Sequence, residues 1–590
     1  MKEERKLQSK YERWEILSEG SQNVVGKRNK RGSVPDTKRR YSHEEDVVDI
    51  LLRNRKIISA KDKKEYFQPI VPQSLKIKDL GINKSALNKS IVRIVKALKN
   101  KEKVIVFGDY DVDGISSSAI LWKFLYSLGM DVTPYIPERF SEGYGVKIES
   151  IHTLKEKYPK LSLIITVDNG IVAHEAVKAA NGLKIDVIII DHHEKGEKYP
   201  LAYSIVHTTK LCGAAMSWIV VREIFKTLKK IGAANVPALD PEDTLEFSAL
   251  GTVADQISLV GVNRSFVKYG LEKLNNTKGV GLNALYNASG IKRGGIGVYE
   301  INYIIAPRLN AMGRLEHAID SLRLLCTKDR YKAANLAKHL NETNSKRQKI
   351  VDEVLTKAQA VMRGKKLGKI IVLNDESYHE GVIGLAASKL VDEFWRPAVV
   401  ISRGKDISKG SARSIPGFNI IRAIESASKM LLGFGGHEMA AGFSLETKNI
   451  SKFRKKLESY ALKRVSVDIL NKKLKVDLEL GFENLSHSLM KKIESMEPFG
   501  IGNFQPTFVT RDCEIADVRK VGMTGNHLKF KLRKNNIFFD GILFNSINDI
   551  LNFSPGKNVD IVYSLEKNVW NGSVSLQLKI KDLKYSYGHQ

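Results

Sequence analysis

VIVFGDYDVDG (104–114), LIITVDNG (163–170) and VIIIDHH (187–193) repeat one pattern three times. Each is a short apolar run rich in β-branched residues, as a buried parallel strand is, followed at once by acids or histidines. Helix-like stretches lie between them, SSAILWKFLYSL (117–128) and VAHEAVKAAN (172–181). Strand and helix alternating in this way predict a doubly wound α/β domain. In open parallel sheets, ligands bind outside the carboxyl ends of the strands. Asp109, Asp111, Asp113, Asp168, Asp191, His192 and His193 are therefore expected around one crevice. Asp255, in LGTVADQISL (250–259), is a further candidate, in a segment whose secondary structure the sequence leaves open.

Taken singly, each acid reads equally well as a helix cap or a turn residue. Acids after three successive strands, with His-His after one of them, do not. So many carboxylates in one crevice would repel one another, and divalent cations remove that cost. Oxygen and nitrogen donors without thiolate point to Mn²⁺ or Mg²⁺ rather than to a structural Zn²⁺ site. Two ions ~3.5–4 Å apart, sharing a carboxylate, would activate a water and steady the leaving oxygen of a phosphodiester. Gly114 and Gly170 are expected to let the backbone pass close to the ions.

Outward from this region, the 590-residue chain is too long for one core. Its texture divides it into a basic flexible arm (1–45), the α/β domain (46–325), a helical connector (326–365), a second α/β domain (366–460) and an antiparallel β domain (461–590). In the last, Leu528, Phe530 and Leu532 alternate with Lys529, Lys531 and Arg533, and Asn571-Gly572 signals a hairpin. The cationic face reads either as a nucleic-acid groove or as a solvated strand face. FGGHEMAAG (434–442), alone, reads as a helix–turn.

A formal net charge of +29 suits a polyanionic partner, although solubility and lysine drift in an AT-rich genome also produce it. Cys212, Cys326 and Cys513 lie far apart, which excludes a disulfide framework and a sequence-local zinc site. The start, MKEERKLQSK, has no apolar h-region, and no apolar run reaches the ~18 residues of a membrane helix, so a cytoplasmic protein is expected. No GxxxxGK[ST] phosphate loop occurs, which disfavours ATP-driven chemistry.

GDYDVDG, VDNG, DHH and GTVAD, in this order, resemble the four motifs of the DHH phosphoesterases. YIPERFSEGYG (135–145), APRLNAMGR (306–314), LNETNSKRQ (340–348), GVIGLAASKL (381–390), KGSARSIPGFNI (409–420), FGGHEMAAGF (434–443) and PFGIGNFQP (498–506) extend the resemblance to the RecJ branch, over roughly 45–590. The resemblance implies a DHH domain, a long helical connector, a DHHA1 domain and a C-terminal OB-fold barrel. It also implies a 5′→3′ exonuclease specific for single-stranded DNA, releasing 5′-mononucleotides with two Mn²⁺ or Mg²⁺ ions in DNA repair and recombination. Asp109, Asp111 and Asp168 would hold one ion, and Asp113, Asp168, His192 and Asp255 the other. His193 would contact the scissile phosphate and Asp191 would orient the histidines. Ser411, Arg413, Gly435, Gly436 and His437, with Arg308 and Asn310 as weaker candidates, would contact substrate phosphate. A helicase and a single-strand-binding protein are the partner classes it suggests, and a monomer the state.

The chain departs from the family pattern at SIVHTTK (204–210), where an Asn-Pro turn is expected, and in its basic arm. Two alternatives share the metal motifs or the fold. Small-substrate DHH enzymes (nanoRNases, cyclic-dinucleotide phosphodiesterases, pyrophosphatases) generally lack the OB domain. A non-catalytic replication scaffold should have lost ligands, and here every ligand position is filled.

Overall fold

The strand Lys103–Phe107 turns alternate side chains to opposite faces of a sheet that is covered on both. Val104 and Val106 enter one core with Leu163, Ile165 and Ile188, and Ile105 and Phe107 enter another with Ile164 and Ile189. Burial on both faces is why these strands read as continuous apolar runs. The computed structural model describes residues 11, 13–20, 44–143, 145–232, 239–364, 366–546, 553–570 and 572–586. The basic centre of the arm (26–40) lies outside them, as does Asn571.

This first sheet has five parallel strands, in the order Val132–Tyr135, Lys103–Phe107, Leu161–Val167, Asp186–Asp191 and Ser204–His207. The order reverses at Lys103–Phe107, so a crevice opens at the carboxyl ends between that strand and Leu161–Val167. The helix Val112–Ser127 leaves the first of these strands and is buried along nearly its whole length beneath Gly213–Lys230 and Leu245–Ala254.

The connector is one helix, Arg330–Met362, of 33 residues, about 50 Å long at the usual rise. Its first half contributes Ala333, Ala337 and Leu340 to the core of the first α/β domain, and its second half Val351, Val354 and Ala358 to that of the second. Two cores thus share one rigid rod.

The second sheet runs Leu431–His437, Ala440–Glu446, Ile407–Arg413, Ala398–Ser402, Ile371–Asp375. Only the last two strands are parallel. FGGHEMAAGF is an antiparallel hairpin, with His437 opposite Ala440, rather than the helix–turn it resembles in isolation. Ala440–Glu446 pairs on its other side with Ile407–Arg413, which holds Gly442 in a strand opposite Ser411.

At the C-terminus five strands close into a barrel, because Phe508–Val521 pairs with both His527–Lys534 and Asn558–Trp570. Leu528, Phe530 and Leu532 point into its core, as their alternation requires. Trp570 is in register with Ser573, and Gly572 before it sits at φ 79°.

The N-terminal region differs from its expected place. Arg13–Ile16 pairs in parallel with Lys473–Val476, and Trp14 Nε1 donates to Asp582 Oδ2 at 2.7 Å. The helices Glu44–Asn54 and Ala60–Phe67 give Val47, Leu51, Leu52 and Tyr66 to the barrel's core and not to that of the first α/β domain. An amphipathic face shows that a helix packs, but not on which core it packs. No described helix is long and apolar enough to cross a membrane.

Candidate metal and phosphate site

Asp111 caps the helix Val112–Ser127, its Oδ1 accepting from the backbone N–H groups of Asp113 (2.9 Å) and Gly114 (3.1 Å). The cap turns the loop 108–111 back across the end of the sheet. A side chain at Gly114 would meet Asp109 Cβ at 2.6 Å, and one at Gly170 would meet Thr166 Oγ1 at 2.7 Å. The close approach these glycines permit is to their own chain. Asp168 sits at φ 62°, a left-handed conformation costing on the order of 1 kcal/mol for a residue with a Cβ. Its N–H, bonded to the Ile190 carbonyl at 2.9 Å, holds it there.

Asp113 accepts from the N–H groups of Gly213 (2.6 Å) and Ala214 (2.9 Å), at the N-terminus of the helix Gly213–Lys230, where a negative charge is favoured. Gly251, in GTVAD, is a glycine because a Cβ there would lie 2.2 Å from Asp113 Oδ1. Four residues on, Asp255 emerges at the C-terminus of Leu245–Ala254. The segment the sequence left open is thus a helix that delivers its acid from its end.

His192 Nε2 lies 2.9 Å from Asp168 Oδ1, and 3.7 Å from both Asp113 Oδ2 and Asp255 Oδ2. Three sets of donors lie within 4.8 Å of one another: Asp109, Asp111 and Asp168; Asp113, His192 and Asp255; Asp168, His192 and His193. Asp168 belongs to two of them and stands between the other acids.

Burial, reinforced by the neighbouring carboxylates, holds Asp109, Asp111 and Asp168 above the usual carboxylate range. It pushes Asp255 up to about 8, with Asp113 and Asp111 adding to it. Burial lowers His192, leaving it neutral with a lone pair to give. His193 behaves oppositely. Burial works against its charge, yet its hydrogen bond to Asp191 (Nδ1 to Oδ1, 2.8 Å) and that carboxylate's charge raise it to about 9. Asp191, which burial would raise, is held below its usual value by the same bond and by the Ile171 N–H. Buried acids that cannot all ionise, beside a neutral imidazole and no thiolate, are a donor set that fits hard divalent cations.

Across the crevice stands a second constellation, of opposite sign. Arg413 ends the strand Ile407–Arg413, with its Nη1 donating to Ser411 Oγ at 3.1 Å. Gly384 leaves room for both, since a Cβ there would be 3.0 Å from Arg413 Nη2 and from Ser411 Oγ. Arg314, half-buried at the end of the helix Ala306–Leu315, is pushed down to about 10, first by desolvation and then by the charges of Arg139, Arg413 and Arg347. Arg139 lies 5.3 Å from the ring of Tyr110, whose N–H donates to Asp109 Oδ1 at 2.7 Å. Its neighbour Phe140 packs edge-on against His379 of the second domain, at 6.0 Å. Among the described residues, none of these four guanidinium groups forms an ion pair with a carboxylate. Unneutralised arginines gathered in a partly buried site fit a phosphate.

The structure thus brings together the acids, the histidines, Ser411 and Arg413, and adds Arg139, Arg314 and Arg347. Those three arginines lie within the quoted motifs, yet nothing in their local sequence singled them out for phosphate. The available signal was Arg314, a cation following Met312-Gly313 in a helix whose neighbours are buried. Arg308 is turned toward the connector, its Nε donating to Asn341 Oδ1 (2.9 Å) and Nη1 to the Ile304 carbonyl (2.8 Å). Asn310 Oδ1 accepts from the Val112 N–H at 3.0 Å and braces the first turn of the catalytic helix. Gly435, Gly436 and His437 are exposed on the edge strand Leu431–His437.

Three family profiles match the chain: the DHH family N-terminal domain over 103–252, the DHHA1 domain over 367–463 and the RecJ OB domain over 476–582. The single-stranded-DNA-specific exonuclease RecJ of Bacillus subtilis is 36% identical over 502 residues, covering 84% of this chain and 63% of the relative. The chain thus spans less than two thirds of that relative's length. RecJ of Thermus thermophilus is 32% identical over 510 residues, covering 84% of this chain and 71% of the relative. The crystal structure of Thermus thermophilus RecJ in complex with Mn²⁺ superposes with a TM-score of 0.77 at 28% identity, over 91% of this chain and 76% of that one. With a DHH, a DHHA1 and an OB domain in order and two thirds of a relative matched above 30% identity, the chain belongs to the RecJ family.

Proposed function

We propose that this protein is a single-stranded-DNA-specific exonuclease that hydrolyses phosphodiester bonds from the 5′ end and releases 5′-mononucleotides. The observation that carries the reading is the adjacency of two sites of opposite charge, with Tyr110 touching both. Asp109, Asp111, Asp113, Asp168, His192 and Asp255 would hold Mn²⁺ or Mg²⁺, and Asp168 would serve both ions. When bound, these ions supply Lewis acidity at the scissile phosphate and lower the pKa of an attacking water.

The residues of the chain do the rest. Arg139, Arg314 and Arg413, with Ser411, seat the terminal 5′-phosphate, which carries more charge than an internal phosphodiester. Each cleavage leaves a new 5′-phosphate on the remaining strand, so the pocket fills again and the direction is preserved. His193, kept protonated by Asp191, presents its charge to the scissile phosphate, and His192 stays neutral for ligation. The exposed edge around Gly435, Gly436 and His437 offers further contacts to the backbone of the strand. The barrel holds the strand beyond, through lysines and aromatic rings without sequence readout. In this reading the protein is a monomeric, cytoplasmic enzyme of DNA repair and recombination, working with a helicase and a single-strand-binding protein.

The test is digestion of 5′- and 3′-labelled single strands with Mn²⁺, with and without a 5′-phosphate. Mononucleotides should appear first from the 5′ end, fastest from the phosphorylated strand. Release from the 3′ end, or cleavage of dinucleotides alone, would overturn the reading.

A further inference from the structure

At the edge of the catalytic sheet lies a groove whose chemistry the hydrolytic site does not use. It runs between the first turns of the helix Lys84–Lys99 and the edge strand Ser204–His207, with a volume of about 770 Å³. This is within the range of small-molecule sites. Lys89, Tyr199, Tyr203, His207, Thr209 and Lys210 line it, and no carboxylate does among the described residues.

The walls are pinned together. Ser204 Oγ donates to the Ala86 carbonyl at 2.7 Å, and Thr208 Oγ1 to the Leu80 carbonyl at 2.8 Å. The Lys89 ammonium stands 4.7 Å from the Tyr203 ring, and Tyr199 meets His207 edge-on at 6.2 Å. SIVHTTK, the stretch where the chain departs from its family's expected turn, supplies one wall.

Lysines without a carboxylate partner in the groove attract an anion. Tyr199, exposed and with the Lys195 ammonium 4.9 Å from its ring, selects an anion with a flat aromatic part, because bases stack on such rings whatever their identity. We propose that this groove is a second site for a nucleotide phosphate, held between Lys89 and Lys210 with its base against Tyr199. None of its lining residues belongs to the acid crevice or the arginine pocket. His207 Nε2, 2.8 Å from the His193 carbonyl, marks where the groove ends beside the catalytic strand. The inference stands on the chemistry of the groove and is independent of the direction or rate of hydrolysis.

The nucleotide phosphate has two sources, a free mononucleotide or a bound strand. Hydrogen exchange of the full chain in EDTA, with dTMP, dT₁₂ or inorganic phosphate as probe, separates them. Slowed exchange at 81–89 and 199–210 with dTMP assigns a free nucleotide. The same protection with dT₁₂ alone assigns a strand phosphate. Inorganic phosphate should bind at least tenfold more weakly than either. The triple variant Lys89→Ala, Tyr199→Ala, Lys210→Ala should weaken the protection at least tenfold while leaving any protection near Arg413 intact. If its melting temperature falls, Lys89→Ala with Lys210→Ala keeps both rings and gives the same reading. No protection with any probe, or protection that survives the substitutions, would overturn the proposal.

Discussion

The acid crevice and the arginine pocket face one another, yet they are built in opposite ways. The crevice takes seven of its eight residues from the ends of three strands within 109–193, and each comes within a few residues of its strand. The pocket takes Arg139 from a loop, Arg314 and Arg347 from two helices, and Arg413 from a strand of the other domain. Each holds like charges at a cost to stability, and in the proposed reading a ligand of opposite sign would offset each cost. Strand ends can concentrate donors locally, whereas a phosphate clamp between two domains has to be assembled from distant segments.

The largest effect is expected at Asp168. Asp168→Asn should lower turnover by on the order of 10³-fold, the worth of several kcal/mol at the metal site. The same variant should melt at a higher temperature in EDTA at neutral pH, since folding no longer has to protonate a buried carboxylate among other acids. Activity assays and calorimetry check the pair. A variant that melts lower without metal would show that Asp168 is structural.

The two histidines sharpen the contrast. His192→Gln should abolish tight Mn²⁺ binding, whereas His193→Gln should keep it and lose on the order of 10²-fold in turnover. Titration calorimetry and initial rates distinguish them.

The arginine side should respond through substrate recognition. Arg413→Ala should cost on the order of 30-fold in kcat/KM on 5′-phosphorylated strands, about 2 kcal/mol, and little on strands with a 5′-hydroxyl. Equal losses on both would detach the pocket from the terminal phosphate.

A milder effect is expected from pH in the absence of metal. The folded Asp255 carboxyl lies near 8, far above its unfolded value of about 4. Folding therefore binds a proton between those values, and the metal-free protein should lose stability as pH rises from about 4 to 8. Added Mn²⁺ should flatten that slope, as melting curves across pH would show.

The smallest effect belongs to the barrel. Lys531→Ala should reduce the salt dependence of single-strand binding by about one unit of slope, without changing sequence preference.

Much of this site was legible in the sequence. Asp109, Asp111, Asp113, Asp168, His192 and His193 were readable because a buried parallel strand leaves an unmistakable apolar run, and these residues stand directly after three such runs. Asp255 was placed by motif, but the helix that carries it was not readable, because Leu245–Ala254 is buried on every side and has no periodicity to report. The hydrogen bonds by which Arg308 and Asn310 also brace helices were not readable, since a side chain's partner is invisible when it lies 33 or 198 residues away.

The sequence by itself therefore determined the order of domains, the strands and the donor set, because these depend on local periodicity and on residues adjacent in the chain. The tertiary structure alone decided three further things. It placed residues 44–67 on the barrel's core, joined Arg139, Arg314, Arg347 and Arg413 into one pocket, and made Gly114, Gly213 and Gly251 packing glycines. Each depends on which surfaces meet, and close packing between distant segments leaves no periodic trace in either of them.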